Sequence, residues 1–156
     1  MTVSTTPSFP IVFGTEYSFY SNLGLYLSYH TASHYAILDS SPEGIWFEST
    51  GSDQTGQPIS TGTLLYAGVE ILAFDHWFYW PGSGDAYWTS DPDNYFEVVL
   101  FTDLDGTYGN PINVGDPVYF LLPAFGAYLG QDTSNTEYLT GTAAATSALA
   151  WTIGAA

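Results

Sequence analysis

A short frame, Pro-Ile-x-x-Gly, constrains this chain more than any other feature because it occurs three times. The copies are Pro10-Ile11-Val12-Phe13-Gly14, Pro58-Ile59-Ser60-Thr61-Gly62 and Pro111-Ile112-Asn113-Val114-Gly115. They open roughly 50 residues apart, a spacing that signals an architecture assembled from copies of one unit. The second and third copies match without insertion from Thr55 to Tyr66 and from Tyr108 to Tyr119, and Ser40 to Trp46 resembles Ser90 to Phe96. Three units follow, over residues 10–50, 58–101 and 111–153, joined by polar connectors at 51–57 and 102–110.

Within each unit the apolar segments are short and rich in aromatic and β-branched residues, and they are separated by Gly, Asn, Asp, Ser and Pro. That pattern reads as strands of four to six residues joined by turns. Unit two, for example, gives Leu64 to Tyr66, Val69 to Phe74, Trp77 to Trp80, Ala86 to Trp88 and Tyr95 to Phe101. Only Thr140 to Ala150, with Ala143, Ala144 and Ala145, has helical propensity. The repeat places it at the turn before the last strand, so no helix is expected there. Three units of about four strands cannot bury their apolar faces singly, but together they can close a barrel. With 156 residues the chain is long enough to do so as one domain.

At this point the chain resembles the β-trefoil superfamily. The resemblance rests on the threefold repetition, a Pro-Ile-x-x-Gly opening strand, the second strand Gly-x-Tyr-Leu at Gly24 to Leu27 and Gly126 to Leu129, and an aromatic closing each unit at Trp46, Phe96 and Trp151. It implies an all-β fold, a β-trefoil with pseudo-threefold symmetry filling residues 1–156, in which Ile11, Ile59 and Ile112 meet near the axis. A β-sandwich with incidental similarity is the alternative.

Charge narrows the partners. The chain has 16 Asp and Glu, no Lys and no Arg, giving a formal net charge of −16. Nucleic acid is excluded as a partner, because affinity for its backbone rests on Lys and Arg. Anionic membrane surfaces are disfavoured for the same reason, and no apolar run approaches the length of a membrane span. Neutral and cationic partners remain, to a monomer or a homodimer. The carboxylates repel one another without relief, so stability should grow as pH falls. Trypsin, which cleaves after Lys and Arg, should find no site. The opening residues carry neither basic residues nor an apolar run, so the expectation is a cytoplasmic product, one that could be released or ingested.

Catalysis is not expected. There is no Cys, the three His are His30, His34 and His76, and no nucleophile elbow occurs. His30 and His34 have metal spacing only on a helix, and Tyr29 to Tyr35 reads as strand, turn and strand. No cofactor is expected beyond weak divalent cation binding at Asp103 and Asp105, which sit in an incomplete calcium-loop pattern.

The richest stretch for binding runs from Asp75 to Asn94 and holds three of the five Trp. An aromatic face suits the apolar side of a sugar ring, and Asp or Asn suits its hydroxyls. The candidate carbohydrate site is Asp75, Trp77, Trp80, Asp85, Tyr87, Trp88, Asp93 and Asn94. The resemblance to trefoil lectins implies further pockets at Tyr29, His30, His34 and Tyr35, and at Gln131, Asp132, Asn135 and Tyr138. No unit has the Gln-x-Trp motif of the ricin type, so fungal or bacterial lectin-like relatives are the nearer comparison. The expected function is non-catalytic binding of a neutral glycan by a trypsin-resistant defence lectin. The alternatives are an inhibitor of non-trypsin proteases, acting through Asn22 to Leu25 or Asp103 to Gly106, and a structural or storage protein with no small ligand.

Overall fold

A computed structural model describes residues 9–91 and 96–156. The protein is all-β, with no α-helix among the described residues. Twelve strands run in chain order: β1 (Tyr17–Ser21), β2 (Tyr26–Tyr29), β3 (Ala36–Asp39), β4 (Ile45–Ser49), β5 (Leu65–Ile71), β6 (Phe74–Tyr79), β7 (Tyr87–Thr89), β8 (Val99–Phe101), β9 (Pro117–Leu122), β10 (Ala127–Gln131), β11 (Leu139–Thr142) and β12 (Trp151–Ala155). The alanine-rich stretch contributes one turn of 3-10 helix, Ala145–Ser147. Its residues are not buried, so no packing supports a longer helix.

All pairing is antiparallel, and six strands close a ring. β1 pairs with β12 and with β4, β12 with β9, β9 with β8, and β4 with β5. The bridge between Leu65 of β5 and Val98, just ahead of β8, completes it. The other six strands form three hairpins, β2–β3, β6–β7 and β10–β11. These touch each other through the bridges Tyr35 with Tyr87, Ile37 with Tyr138, and Asp85 with Thr140.

The three Pro-Ile-x-x-Gly frames meet as well, but they lead into the strands and are not part of them. Their contacts with one another are isolated bridges, Pro10 with Asn113, Val12 with Pro58, and Ser60 with Pro111. The Ile11 amide donates to the Ile112 carbonyl and the Ile59 amide to the Ile11 carbonyl, each at 2.9 Å. The three isoleucine side chains are buried. The fifth position must be glycine, because Gly14, Gly62 and Gly115 have φ of 83°, 84° and 95°. From that left-handed turn each donates its amide across the ring, Gly14 to Phe47, Gly62 to Leu100 and Gly115 to Ile153.

Those three bonds set the true register of the repeat and correct the expected one. Phe47, Leu100 and Ile153 are equivalent, so Trp46 corresponds to Thr152 and not to Trp151. A slip of one residue moves a strand side chain to the opposite face. Trp151 is accordingly buried inside the ring, while Trp46 sits on its outer side, where Trp77 packs against it and it too is buried. Phe96 precedes β8 and stacks on Phe125, with centroids 6.2 Å apart. Inside the ring, Phe19, Phe47 and Phe120 pack mutually at 5.4 to 6.3 Å, and Trp151 meets Phe120 edge-on at 6.1 Å.

Candidate carbohydrate site

Alternation along the second hairpin sorts the expected site residues onto two faces. In β6, Phe78 faces inward, and its register partner Trp88 in β7 does the same. Trp88 is 1% exposed and donates its Nε1 hydrogen to the Ser28 carbonyl at 3.2 Å. Trp80 is 7% exposed, lies against Gly141 and Phe125, and donates to the Gly84 carbonyl at 2.9 Å. Neither ring has a face to offer a ligand, so both leave the site. They were expected there because each hydrophobic position of a hairpin reads alike until its register is known.

Trp77 faces outward, half-buried. It stands in a register row that crosses four strands: Trp46 opposite Gly68, Gly68 opposite Trp77, and Trp77 opposite Thr89. The two indoles meet edge-on over Gly68, with centroids 5.8 Å apart and planes at 78°. A Cβ on Gly68 would come within 2.7 Å of Trp46 and 2.9 Å of Trp77, so only glycine lets the rings settle there. Outward residues two positions along each strand flank the rings, since i and i+2 share a face. On one side are Glu48 and Tyr66, on the other Glu70 and Asp75. Trp46 donates its Nε1 hydrogen to Glu48 Oε1 at 3.3 Å. Glu48 also lines a cavity of about 330 Å³ with Ser49, Asp53, Gln54 and Thr55 of the first connector.

Trp46, Gly68, Tyr66, Glu48 and Glu70 were missed from the sequence. The signal was the alternation Ile45-Trp46-Phe47-Glu48, which puts Trp46 on the same face as a carboxylate.

Of the remaining expected residues, Tyr87 shares the outer face with Trp77, since the pair Tyr79 and Tyr87 stands two positions along from Trp77 and Thr89, and Asp85 lies elsewhere. Tyr87 packs on Tyr79 at 5.2 Å, and burial, then Tyr79, Asp91 and Tyr35, raise its hydroxyl above the ordinary tyrosine range. Asp85 is turned towards Asp132 of the third hairpin. Burial pushes its carboxyl up to about 6, and its hydrogen bond with Asp132 and that residue's charge push the same way. Asp132 is held low, first by the bond with Asp85 and then by the Ser134 amide. Of the two carboxyls, Asp85 is therefore the one that takes up a proton first as pH falls. Asp93 and Asn94 fall outside the described residues.

Of the pockets implied for units one and three, the structure joins His34 to the second hairpin. His34 packs edge-on against His76 at 4.8 Å, and together they line a second cavity of about 400 Å³ with Ile71, Leu72, Phe74, Asp75 and Ser90. His30 turns away, its Nδ1 3.1 Å from the Ser33 hydroxyl. Tyr35 and Tyr138 pack on each other at 5.0 Å. Gln131 Nε2 donates to the Thr136 carbonyl.

No group of three or more potential metal ligands occurs among the described residues. Asp103 Oδ1 accepts the Gly106 and Thr107 amides at 2.9 and 3.3 Å, which spends that oxygen on the turn. No helix among the described residues is long and apolar enough to cross a membrane.

No protein-family model matches the sequence, and no curated protein matches it. Among solved structures, the chain is similar to a crystal structure of the lysenin pore, with a TM-score of 0.65 at 14% identity over 97% of this chain. The chain spans half the length of that protein's chain. At this identity the likeness concerns the fold alone.

Proposed function

We propose that this protein is a β-trefoil that binds a neutral carbohydrate, without catalysis, on the outer face of β4 to β7. The trefoil reading is supported by the six-strand ring, the three hairpins and the three converging frames. The binding reading is carried by one observation: the half-buried outward indole of Trp77, braced edge-on by the buried indole of Trp46 over Gly68 and flanked by Glu48, Tyr66, Glu70 and Asp75. A sugar ring laid against Trp77 buries its apolar CH face, and the surrounding carboxylates accept its hydroxyl hydrogens. The polar cavity reached through Glu48 leaves room for a second sugar unit. With no Lys or Arg anywhere, a neutral glycan meets no fixed cation and an anionic glycan is repelled.

A glycan array probed at acidic and neutral pH tests this. The expected result is binding to neutral glycans, weakened about tenfold or more by Trp77→Ala, the loss of one aromatic contact and the area beneath it. Gly68→Ala should weaken it as well, by forcing the indoles apart. Trp88→Ala would only open the core. Unchanged binding in Trp77→Ala would remove the site; a silent array with inhibition of a papain-type protease would replace the lectin reading by the inhibitor one, acting through the exposed Leu23 and Leu104.

A further inference from the structure

The aromatic face of β4 to β7 does not end at Trp77. In the β6–β7 pairing Tyr79 stands opposite Tyr87, two positions along from Trp77 and Thr89, so both tyrosines point outward with Trp77. Tyr87 then bridges to Tyr35, just ahead of β3, and Ile37, two positions on from Tyr35, bridges to Tyr138, just ahead of β11. Directly paired residues present their side chains on one face, so Tyr79, Tyr87, Tyr35 and Tyr138 all lie on the outer side of the three hairpins. The rings of Tyr79 and Tyr87 are 5.2 Å apart and those of Tyr35 and Tyr138 5.0 Å. Tyr35 is 36% exposed and the other three are half-buried. Tyr35 and Tyr138, implied by the trefoil resemblance as parts of separate pockets, thus join Tyr87 in one tract.

Asp85 supplies a second observation. It shares the face of the tyrosines, two positions before Tyr87 and bridged to Thr140. One of its two oxygens, Oδ1, is buried without a hydrogen-bond partner among the described residues. The donors around it are spent on closing the seam between the hairpins: the Ala86 amide donates to the Leu139 carbonyl at 2.8 Å, and the Thr140 hydroxyl to the Gly84 carbonyl at 2.7 Å. Leaving a buried acceptor unpaired is costly, and the group that satisfies it is then a donor from outside the fold. Tyrosine is uncharged at neutral pH, and burial raises the Tyr87 hydroxyl above the ordinary range, which keeps its hydrogen in place. Apolar rings, neutral hydroxyls and one acceptor in want of a donor fit an occupant that combines CH faces with hydroxyls.

We propose that this tract extends the Trp77 site and that the ligand is a linear neutral oligosaccharide bound along several successive units. Sugar rings lie against Tyr79, Tyr87, Tyr35 and Tyr138 in turn, and one hydroxyl donates to Asp85 Oδ1 as that half-exposed carboxylate turns outward. Paired strands lie about 4.8 Å apart, so the rings follow one another at a spacing similar to that of the units in a sugar chain. A single terminal sugar would leave most of the tract bare. The inference rests on the carbohydrate reading and specifies the form of the glycan.

The test is titration of the full chain with monosaccharide-to-hexasaccharide ladders of linear neutral glucans, xylans, mannans and galactans. Amide resonances of Tyr35, Tyr87 and Thr140 report on the tract. In the best-bound ladder, affinity should rise about tenfold or more from the disaccharide to the hexasaccharide, the step expected from added aromatic contacts, and the longer members should shift those resonances. Tyr35→Ala, at an exposed position outside the strands, should bring the hexasaccharide down towards the disaccharide, whereas Trp77→Ala should weaken every length. Full affinity reached by the mono- or disaccharide, silent tract resonances with bound hexasaccharide, or an unaltered ratio of hexasaccharide to disaccharide affinity in Tyr35→Ala would each overturn the tract and leave the Trp77 site standing. Absence of binding along every ladder would overturn the carbohydrate reading and this inference with it.

Discussion

Burial, and then the hydrogen bond and charge of Asp132 on the third hairpin, raise the Asp85 carboxyl to about 6, and that has a consequence for stability. An acid that titrates higher when folded than when unfolded binds protons more tightly in the fold, so folding is favoured as pH falls through the gap. For Asp85 the gap runs from about 6 down to roughly 4, where unfolded carboxyls titrate. Glu43 adds in the same sense, raised by burial and then by Asp39 and Glu16. Asp53, Asp103 and Asp132 oppose it only at lower pH, because hydrogen bonds from Thr55, Thr107 and Asp85 hold them below the usual range. The expected thermal midpoint rises from pH 7 to roughly pH 4 and falls below that. Asp85→Asn, which mimics the protonated state, should raise the midpoint at pH 7 and flatten the rise; calorimetry across the series checks both, and a midpoint that drops from pH 7 to pH 4 contradicts the scheme. The acid preference was legible in a chain with no Lys or Arg. The residue responsible was not, because Asp85 and Asp132 belong to different units and nothing local links them.

The β5–β6 hairpin shows what an element conceals from its sequence. Val69 to Phe74 reads as one apolar segment, yet the chain reverses inside it, with Ile71 pairing with Phe74 across Leu72 and Ala73. Both turn residues have positive φ, 52° and 69°, the conformation that such tight hairpins require and that Asn-Gly normally supplies. Without either residue the turn gave no signal. Each non-glycine residue held there costs on the order of 1–2 kcal/mol. Replacing Leu72-Ala73 with Asn-Gly should therefore stabilise the fold by about 1–2 kcal/mol, or several degrees in midpoint, since the exposed Leu72 gives up little packing. A lower midpoint would mean that the apolar lip carries structural weight. The same element explains the mixed outcome for the tryptophans: composition located the aromatic hairpin, but only the register with β4 and β5 decides that Trp77 and Trp46 face out and Trp88 faces in.

For the whole molecule, the repeat in the sequence foretold the all-β character and the contacts between the frames that carry Ile11, Ile59 and Ile112. It misled on the aromatics closing each unit, since matching by residue type missed the one-residue offset that the Gly14, Gly62 and Gly115 bonds reveal. Composition acts at this scale as well. Trypsin should leave the chain intact whether folded or held in urea, because no Lys or Arg exists to cleave after. Chymotrypsin should cut the folded protein first at exposed aromatics in connecting segments, Tyr108 and Phe125, with fragment masses as the readout; a tryptic fragment, or early cutting within the ring strands, would contradict this. The ring also has no privileged beginning. Its first and last strands, β1 and β12, are paired side by side from Tyr17 with Ala155 to Ser21 with Trp151, and the connectors at 51–57 and 102–110 hold the place between units that the chain ends hold between the third and the first. A circularly permuted chain opened at either connector, with Ala155 linked back to the segment leading into Tyr17, is therefore expected to recover these strand pairings.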